Sequence, residues 1–150
     1  MKLKPTLTGI LLFSNAAAYT GINKDNYKEK LCGPDLFVVT NPEHPPRGRH
    51  SLSGADADNF RTIEFNYAQY CTKLATYNRM LDKKEKCDSE PEDCTQKAYI
   101  QTQVDNAGID LANTCFQLES NKKRSKHMWD DIMIKRKECI HVTPISTGPR

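Results

Sequence analysis

FRTIEFNYAQYCTKLATYNRML, residues 60–81, is the stretch from which the fold can be read. Phe60, Ile63, Tyr67, Tyr70, Leu74, Tyr77 and Leu81 recur in it at spacings of 3, 4, 3, 4, 3 and 4. An α-helix turns once in about 3.6 residues, so this repeat draws one continuous apolar stripe. Arg61, Asn66, Lys73, Asn78 and Lys83 fall on the opposite face. Tyrosines set in such a stripe read as core rather than as a ligand box. Just upstream, Ser53-Gly54-Ala55-Asp56 supplies helix-start chemistry, with Ser or Asp side chains to cap the first free amides.

Downstream, Lys83 to Asp93 is charged and closes on Ser89-Glu90-Pro91-Glu92-Asp93. A proline at a first turn with acidic neighbours suits the start of another helix. That second helix is predicted through about Ser120, with Cys94, Ala98, Gln101, Val104, Gly108, Leu111, Cys115 and Leu118 as its stripe. Gly108 costs ~1 kcal/mol relative to alanine there unless it allows close packing. Asn121 to Lys126 reads as a polar connection. Ser125 is placed to cap a third helix with Met128, Trp129, Ile132, Met133, Cys139 and Ile140 on one side. Upstream of residue 53, Asn23 to Leu31 suits a short helix stopped by Gly33-Pro34. Leu36-Phe37-Val38-Val39 suits a short strand or an apolar plug. Asn41 to Arg49, with Pro42, Pro45, Pro46 and Gly48, is a loop, in part extended.

Short connections between long helices favour antiparallel neighbours. The predicted fold is therefore all-α: a disulfide-stabilised antiparallel helical bundle of about three main helices with an irregular N-terminal extension. The chain divides into a signal peptide (1–18), the extension with its Pro-rich loop (19–52), a helical disulfide-bonded domain (53–142) and a flexible tail (143–150).

The signal peptide follows from three features. Lys2 and Lys4 give a positive start, Leu7 to Phe13 a short apolar run, and Ala16-Ala17-Ala18 a small-residue cleavage site. The run is too short and too broken by Thr8 and Gly9 to cross a bilayer, which takes ~20 apolar residues. Cleavage after Ala18 would leave Tyr19 to Arg150. With no later apolar stretch and no Lys-Asp-Glu-Leu ending, a secreted, extracellular protein is expected, not one inserted in a membrane. Of the 22 basic residues two leave with the signal, so 20 stand against 19 acidic ones, a net of +1. That balance lacks the concentrated basic face of a nucleic-acid-binding protein. No glycosylation sequon occurs after the signal peptide.

Cys32, Cys71, Cys87, Cys94, Cys115 and Cys139 make an even count behind a secretory signal, the mark of a disulfide framework. A chain of this length buries ~65–70% of its surface, so bridges reinforce a core rather than replace one. Each adds ~2–4 kcal/mol. A metal site would ask for a Cys-x-x-Cys pair or finger-spaced histidines, and neither occurs. Cys94 and Cys115, on one predicted helix, would lie ~31 Å apart and out of bonding reach. If the first two helices fold back around 88–93, Cys71 comes level with 105–115, which favours a Cys71–Cys115 bridge. Cys87 and Cys94 flank the turn; they bridge each other or take Cys139 and Cys32 separately.

The histidines are His44, His50, His127 and His141. His127 with Asp130 and Asp131 has helical i, i+3, i+4 spacing, but so few ligands read as a solvated salt-bridging face. His50, Glu64 and Arg61 are the residue types of acid–base RNA cleavage. The chain lacks the strand pattern of small secreted fungal ribonucleases, and the Cys-Cys-x-x-His helix of secreted phospholipases. Neither a Gly-x-Ser-x-Gly elbow nor a His-Glu-x-x-His helix is present. Lys122-Lys123-Arg124-Ser125 would suit a dibasic processing protease if exposed, and otherwise is a basic interhelical loop. No catalytic, cofactor-binding or metal-ligating residue is assigned, no cofactor is implied, and an enzyme is not expected.

A signal ending in Ala16-Ala17-Ala18, a short mature chain, six spaced cysteines and no enzyme motif together resemble the cysteine-rich small secreted effectors of plant-pathogenic fungi. The resemblance is of class, spans the chain and carries over no site residue. Arg49-His50-Ser51-Leu52 departs from the Arg-x-Leu-Arg entry motif of oomycete effectors. The resemblance implies a host protein as partner, bound through a surface to suppress defence or to be recognised by it, outside the host cell or after entry. Two other classes fit in outline. Helical six-cysteine carriers, such as elicitins and insect odorant-binding proteins, hold a small hydrophobic ligand in an enclosed cavity. Their cysteine spacings differ from the gaps of 39, 16, 7, 21 and 24 here. A small secreted hydrolase would need His50, Glu64 or His127 to meet in one cleft.

Overall fold

A computed structural model describes residues 21–39, 54–135 and 139. Helix α1 runs Gly54–Ser89, α2 Lys97–Arg124 and α3 Lys126–Lys135. Three short 3-10 turns, Tyr27–Lys30, Pro34–Phe37 and Pro91–Asp93, complete the described elements, which include no strand. The fold is the all-α, disulfide-bonded bundle that the apolar stripes require.

Neither glycine nor proline interrupts 55–89, so nothing stops α1 at its last apolar residue. The charged stretch expected to form the turn instead continues the helix, with Lys84 donating to Asp88 at 2.9 Å one turn on. Such i, i+4 pairs support a helix by a few tenths of a kcal/mol at most. Ser89 Oγ closes the end by donating to the Lys86 carbonyl at 3.0 Å. Pro91 then enforces the break.

Helices α1 and α2 are antiparallel. Lys73 meets Asp110 at 3.7 Å, and the Asn66 and Asn121 side-chain amides meet at 2.8 Å, so partner numbers rise on α2 as they fall on α1. The polar connection expected over Asn121 to Lys126 shrinks to one residue. Ser125 N donates to Asn121 O at 3.0 Å, and Ser125 O accepts from Trp129 N at 2.9 Å. Both backbone groups of the corner are thus satisfied, and α3 folds back on α1 and α2.

Two apolar clusters fill the interior. One joins Phe60, Ile63, Tyr67 and Cys71 of α1 with Leu118 of α2, Met128, Trp129, Ile132 and Met133 of α3, and Leu36. The other joins Tyr77 with Val104, Ala107, Leu111, Ala112 and Cys115 of α2, and Ile22 and Tyr27 from the N-terminal segment. The stripe of residues 60–81 is core except at its far end, where Leu81 is exposed. Ala98, at the start of the α2 stripe, is also exposed.

The N-terminal extension is irregular but contributes to both clusters. Of the strand and plug readings of 36–39, the plug holds: Pro34–Phe37 is a 3-10 turn whose Leu36 side chain is buried against α3. Its Leu36 carbonyl accepts from Trp129 Nε1 at 3.0 Å and from Lys122 Nζ at 3.1 Å. The short helix expected over 23–31 is the 3-10 turn Tyr27–Lys30, entered through an Asn23 side chain that accepts from Asp25 N at 2.8 Å. Asparagine side-chain turns of this kind compete with regular helix.

All six cysteines are bridged, and the favoured Cys71–Cys115 pair is incorrect. The bridges are Cys32–Cys115, Cys71–Cys139 and Cys87–Cys94, with Cα–Cα distances of 5.1, 5.3 and 5.2 Å. Equal height on neighbouring helices does not make two cysteines face each other. Cys71 points into the cluster built with α3, toward Cys139, whereas Cys115 points into the cluster covered by the N-terminal segment. Cys94 lies not on α2 but in the extended residue after the Pro91–Asp93 turn, within reach of Cys87. The signal peptide, the Pro-rich loop and the C-terminal tail lie outside the described residues.

Candidate functional site

The residues considered for chemistry do not assemble into a reaction centre among the described residues. His44, His50 and His141 lie outside that set, as does the His127 side chain. Arg61 is on the surface, where Nη2 contacts Asp58 at 2.7 Å one turn back. Glu64 is half-buried and engaged. Asp130 and Asp131 correct the expectation of a solvated face, because both are buried in α3 and both are engaged. Among the described residues no group of three or more His, Cys, Asp or Glu could hold a metal ion.

The basic run is the last turn of α2 rather than a loop. Lys122, Lys123 and Arg124 sit where cations complement the negative end of the helix dipole. Lys122 Nζ spans to the carbonyls of Asp35 and Leu36, both at 3.1 Å. A processing protease, which needs extended substrate, would have to unwind this turn first.

Tyr27 is the main anchor of the N-terminal segment. Its ring is fully buried and occupies the space a Cβ at residue 108 would need. This is the close packing that justifies Gly108 inside a helix. The Tyr27 hydroxyl donates to Asp105 Oδ1 at 3.2 Å, which also accepts from Gln101 Nε2 at 2.9 Å. The ring meets Tyr77 edge-on at 6.1 Å. Burial, then the neighbouring Tyr77 and the Asp105 carboxylate, push the Tyr27 hydroxyl well above the usual phenol range. Burial also raises Tyr70. On the surface, the hydrogen bond from Lys84, helped by Lys97, lowers Asp88.

The surface clefts built from described residues include four, each partly open to solvent. Two flank Cys87 and Ile100 at the α1–α2 tip, with volumes of about 290 and 330 Å³. A third, of about 430 Å³, lies beside Phe65 on α1. The fourth, of about 200 Å³, is a seam between Ile22, Glu29, Lys30 and Leu31 of the N-terminal segment and Phe116 and Glu119 of α2. Three aromatic rings stand exposed on the helices: Phe65 at 61%, Tyr99 at 60% and Phe116 at 49%. Single exposed apolar residues are ordinary. Aromatic side chains are enriched in protein interfaces, and Phe65 and Phe116 each line a cleft. Each of these rings falls off its helix's apolar stripe, a signal of exposure that is readable in the sequence. The seam itself has no local signal, since its walls, 22–31 and 116–119, are far apart along the chain and bolted by the bridge of sequence separation 83.

No family model, no curated protein and no solved structure matches the chain.

Proposed function

We propose that this chain is a secreted, effector-like protein that acts by binding a host protein through its folded surface, suppressing defence or being recognised by it. One observation supports this best: exposed aromatic rings are carried on helices whose positions are held by three disulfides. A pre-ordered surface loses little conformational entropy on association, so a modest contact area can suffice. The bridges suit an oxidising compartment, and among the described residues no helix is long and apolar enough to cross a membrane. The carrier alternative would need a closed apolar cavity, and the clefts described above are only partly enclosed by the described residues.

The test has two parts. The full chain is expressed in a eukaryotic secretory host, and the N-terminus of the medium protein is read by mass spectrometry. Tyr19 is the expected first residue, and protein retained in the cytosol would overturn secretion. The oxidised secreted protein is then used to capture partners from a leaf extract, against a reduced, heat-unfolded control. A host protein retained only by the folded form, and confirmed with purified components, supports the reading. Co-purified lipid with no protein partner would replace it with the carrier reading.

A further inference from the structure

We propose that the seam cleft beside Phe116 is a docking site for a single arginine side chain presented by a partner protein. The proposal deepens the reading of the chain as a protein-binding effector and rests on it.

The cleft is built, not incidental. Cys115 turns inward to bridge Cys32, and this fixes its neighbour Phe116 facing out and sets Leu31 opposite it. Cys32 N also approaches Cys115 Sγ at 2.8 Å, so backbone and bridge are joined at the same point. Two turns back along α2, the Tyr27 ring seated on Gly108 holds the 3-10 turn that carries Glu29 and Lys30. Both walls are therefore fixed before any partner arrives, which is the condition for tight use of a small contact.

The lining selects the occupant. A cleft of about 200 Å³ falls below the ~300–1,000 Å³ of small-molecule pockets and is sized for a single long side chain. Ile22, Leu31 and Phe116 offer apolar surface for a methylene stem. Glu29 and Glu119 offer carboxylates for a cationic head, and neither forms an ion pair among the described residues. An exposed aromatic face beside carboxylates favours guanidinium, which stacks on the ring and donates to the oxygens together. Lys30 also lines the cleft. Its charge opposes a cation, which gives the proposal a sign that an apolar docking site would not have.

The test uses the full-length oxidised protein, ¹⁵N-labelled, titrated with acetyl-Gly-Arg-Gly-amide and with the uncharged citrulline counterpart. Saturable amide shifts confined to residues 29–31 and 116–119 are expected from the arginine peptide, with at least threefold weaker response to citrulline. Glu119→Gln should weaken binding threefold or more, Phe116→Ala should abolish it, and Lys30→Ala should tighten it. Unchanged melting temperatures identify variants whose fold is intact, and Glu29→Gln serves as a second carboxylate variant. Equal response to both peptides, or indifference to Glu119→Gln and Lys30→Ala, overturns the proposal. So does equal loss of both peptides in Phe116→Ala with no charge dependence, which would make the cleft a purely apolar contact. A captured host protein that binds Glu119→Gln unchanged removes this site and leaves the effector reading standing. Peptide binding without any captured host protein does the reverse.

Discussion

Gly108 occupies a position where helix propensity and packing pull in opposite directions. Alanine there would gain ~1 kcal/mol of propensity. It would also place a Cβ inside the Tyr27 ring, and overpacking of this kind costs ~1–3 kcal/mol. Gly108→Ala is expected to lower stability by about 1 kcal/mol net in urea unfolding, and to raise it once Tyr27→Ala clears the space. A stabilising effect of Gly108→Ala alone would show that the ring is not seated there. Tyr27 also predicts a pH dependence. Its hydroxyl is raised from the usual 10.0, so the folded state favours the protonated form. That stability is fully present below pH 10, and is lost as the unfolded chain ionises above it and pH climbs toward the folded value. The melting temperature should fall above pH 10, and Tyr27→Phe should flatten part of the fall, with Tyr70, also raised by burial, contributing in the same direction.

At the scale of elements, the three bridges are not equivalent. Cys32–Cys115 and Cys71–Cys139 close segments with sequence separations of 83 and 68, and each ties a terminal segment to a core helix. Cys87–Cys94, with a separation of 7, only staples the α1–α2 tip. Loop-closure entropy then assigns about 2 kcal/mol to the tip bridge and about 4–5 kcal/mol to each long one. Replacing both tip cysteines by serine should leave a cooperative fold with a slightly lower urea midpoint. The same change at Cys32 and Cys115 should destabilise by roughly twice as much. Equal losses would show that the tip bridge carries native-state contacts beyond its loop. Helix α3 depends on partners for a similar reason of length. Ten residues do not form a stable isolated helix in water. Its Trp129 is buried and donates to Leu36 O. Trp129→Phe leaves Lys122 as a donor to that carbonyl, so a loss of about 1 kcal/mol is expected from the missing hydrogen bond. Trp129→Ala adds a cavity and should cost ~3–5 kcal/mol.

In the whole molecule, the N-terminal segment is a structural part of the bundle. Ile22, Tyr27 and Leu36 are buried in its two clusters, and Cys32 and Tyr70 touch both clusters. A chain begun at residue 53 would expose the faces these residues cover and leave Cys115 without its partner. Such a truncation is expected to lose cooperative thermal unfolding and to bind a hydrophobic dye, both measurable on the purified protein. Retention of a sharp transition would show that the helices alone suffice. Function, as proposed, also belongs to this scale, because the rings and clefts on which it rests are presented by several segments together.

Periodicity alone settled the helical class, because a stripe at spacings of 3 and 4 can bury its apolar residues only as a helix. The even cysteine count settled that bridges would form, and the turn residues around Pro91 settled that the first two helices fold back. Tertiary structure decided the rest. Cys71 and Cys115 stand at similar heights on neighbouring helices, yet a helix turns about 100° per residue, and only the packed molecule shows which third segment each one faces. The strand or plug choice at 36–39 was likewise local in sequence but resolved from afar, by Trp129 and Lys122 claiming the Leu36 carbonyl. Asp130 and Asp131 look like surface by composition, and are buried only in the packed molecule. The seam beside Phe116 is the extreme case: its walls become neighbours only when Cys32 and Cys115 meet, so no window along the chain contains it.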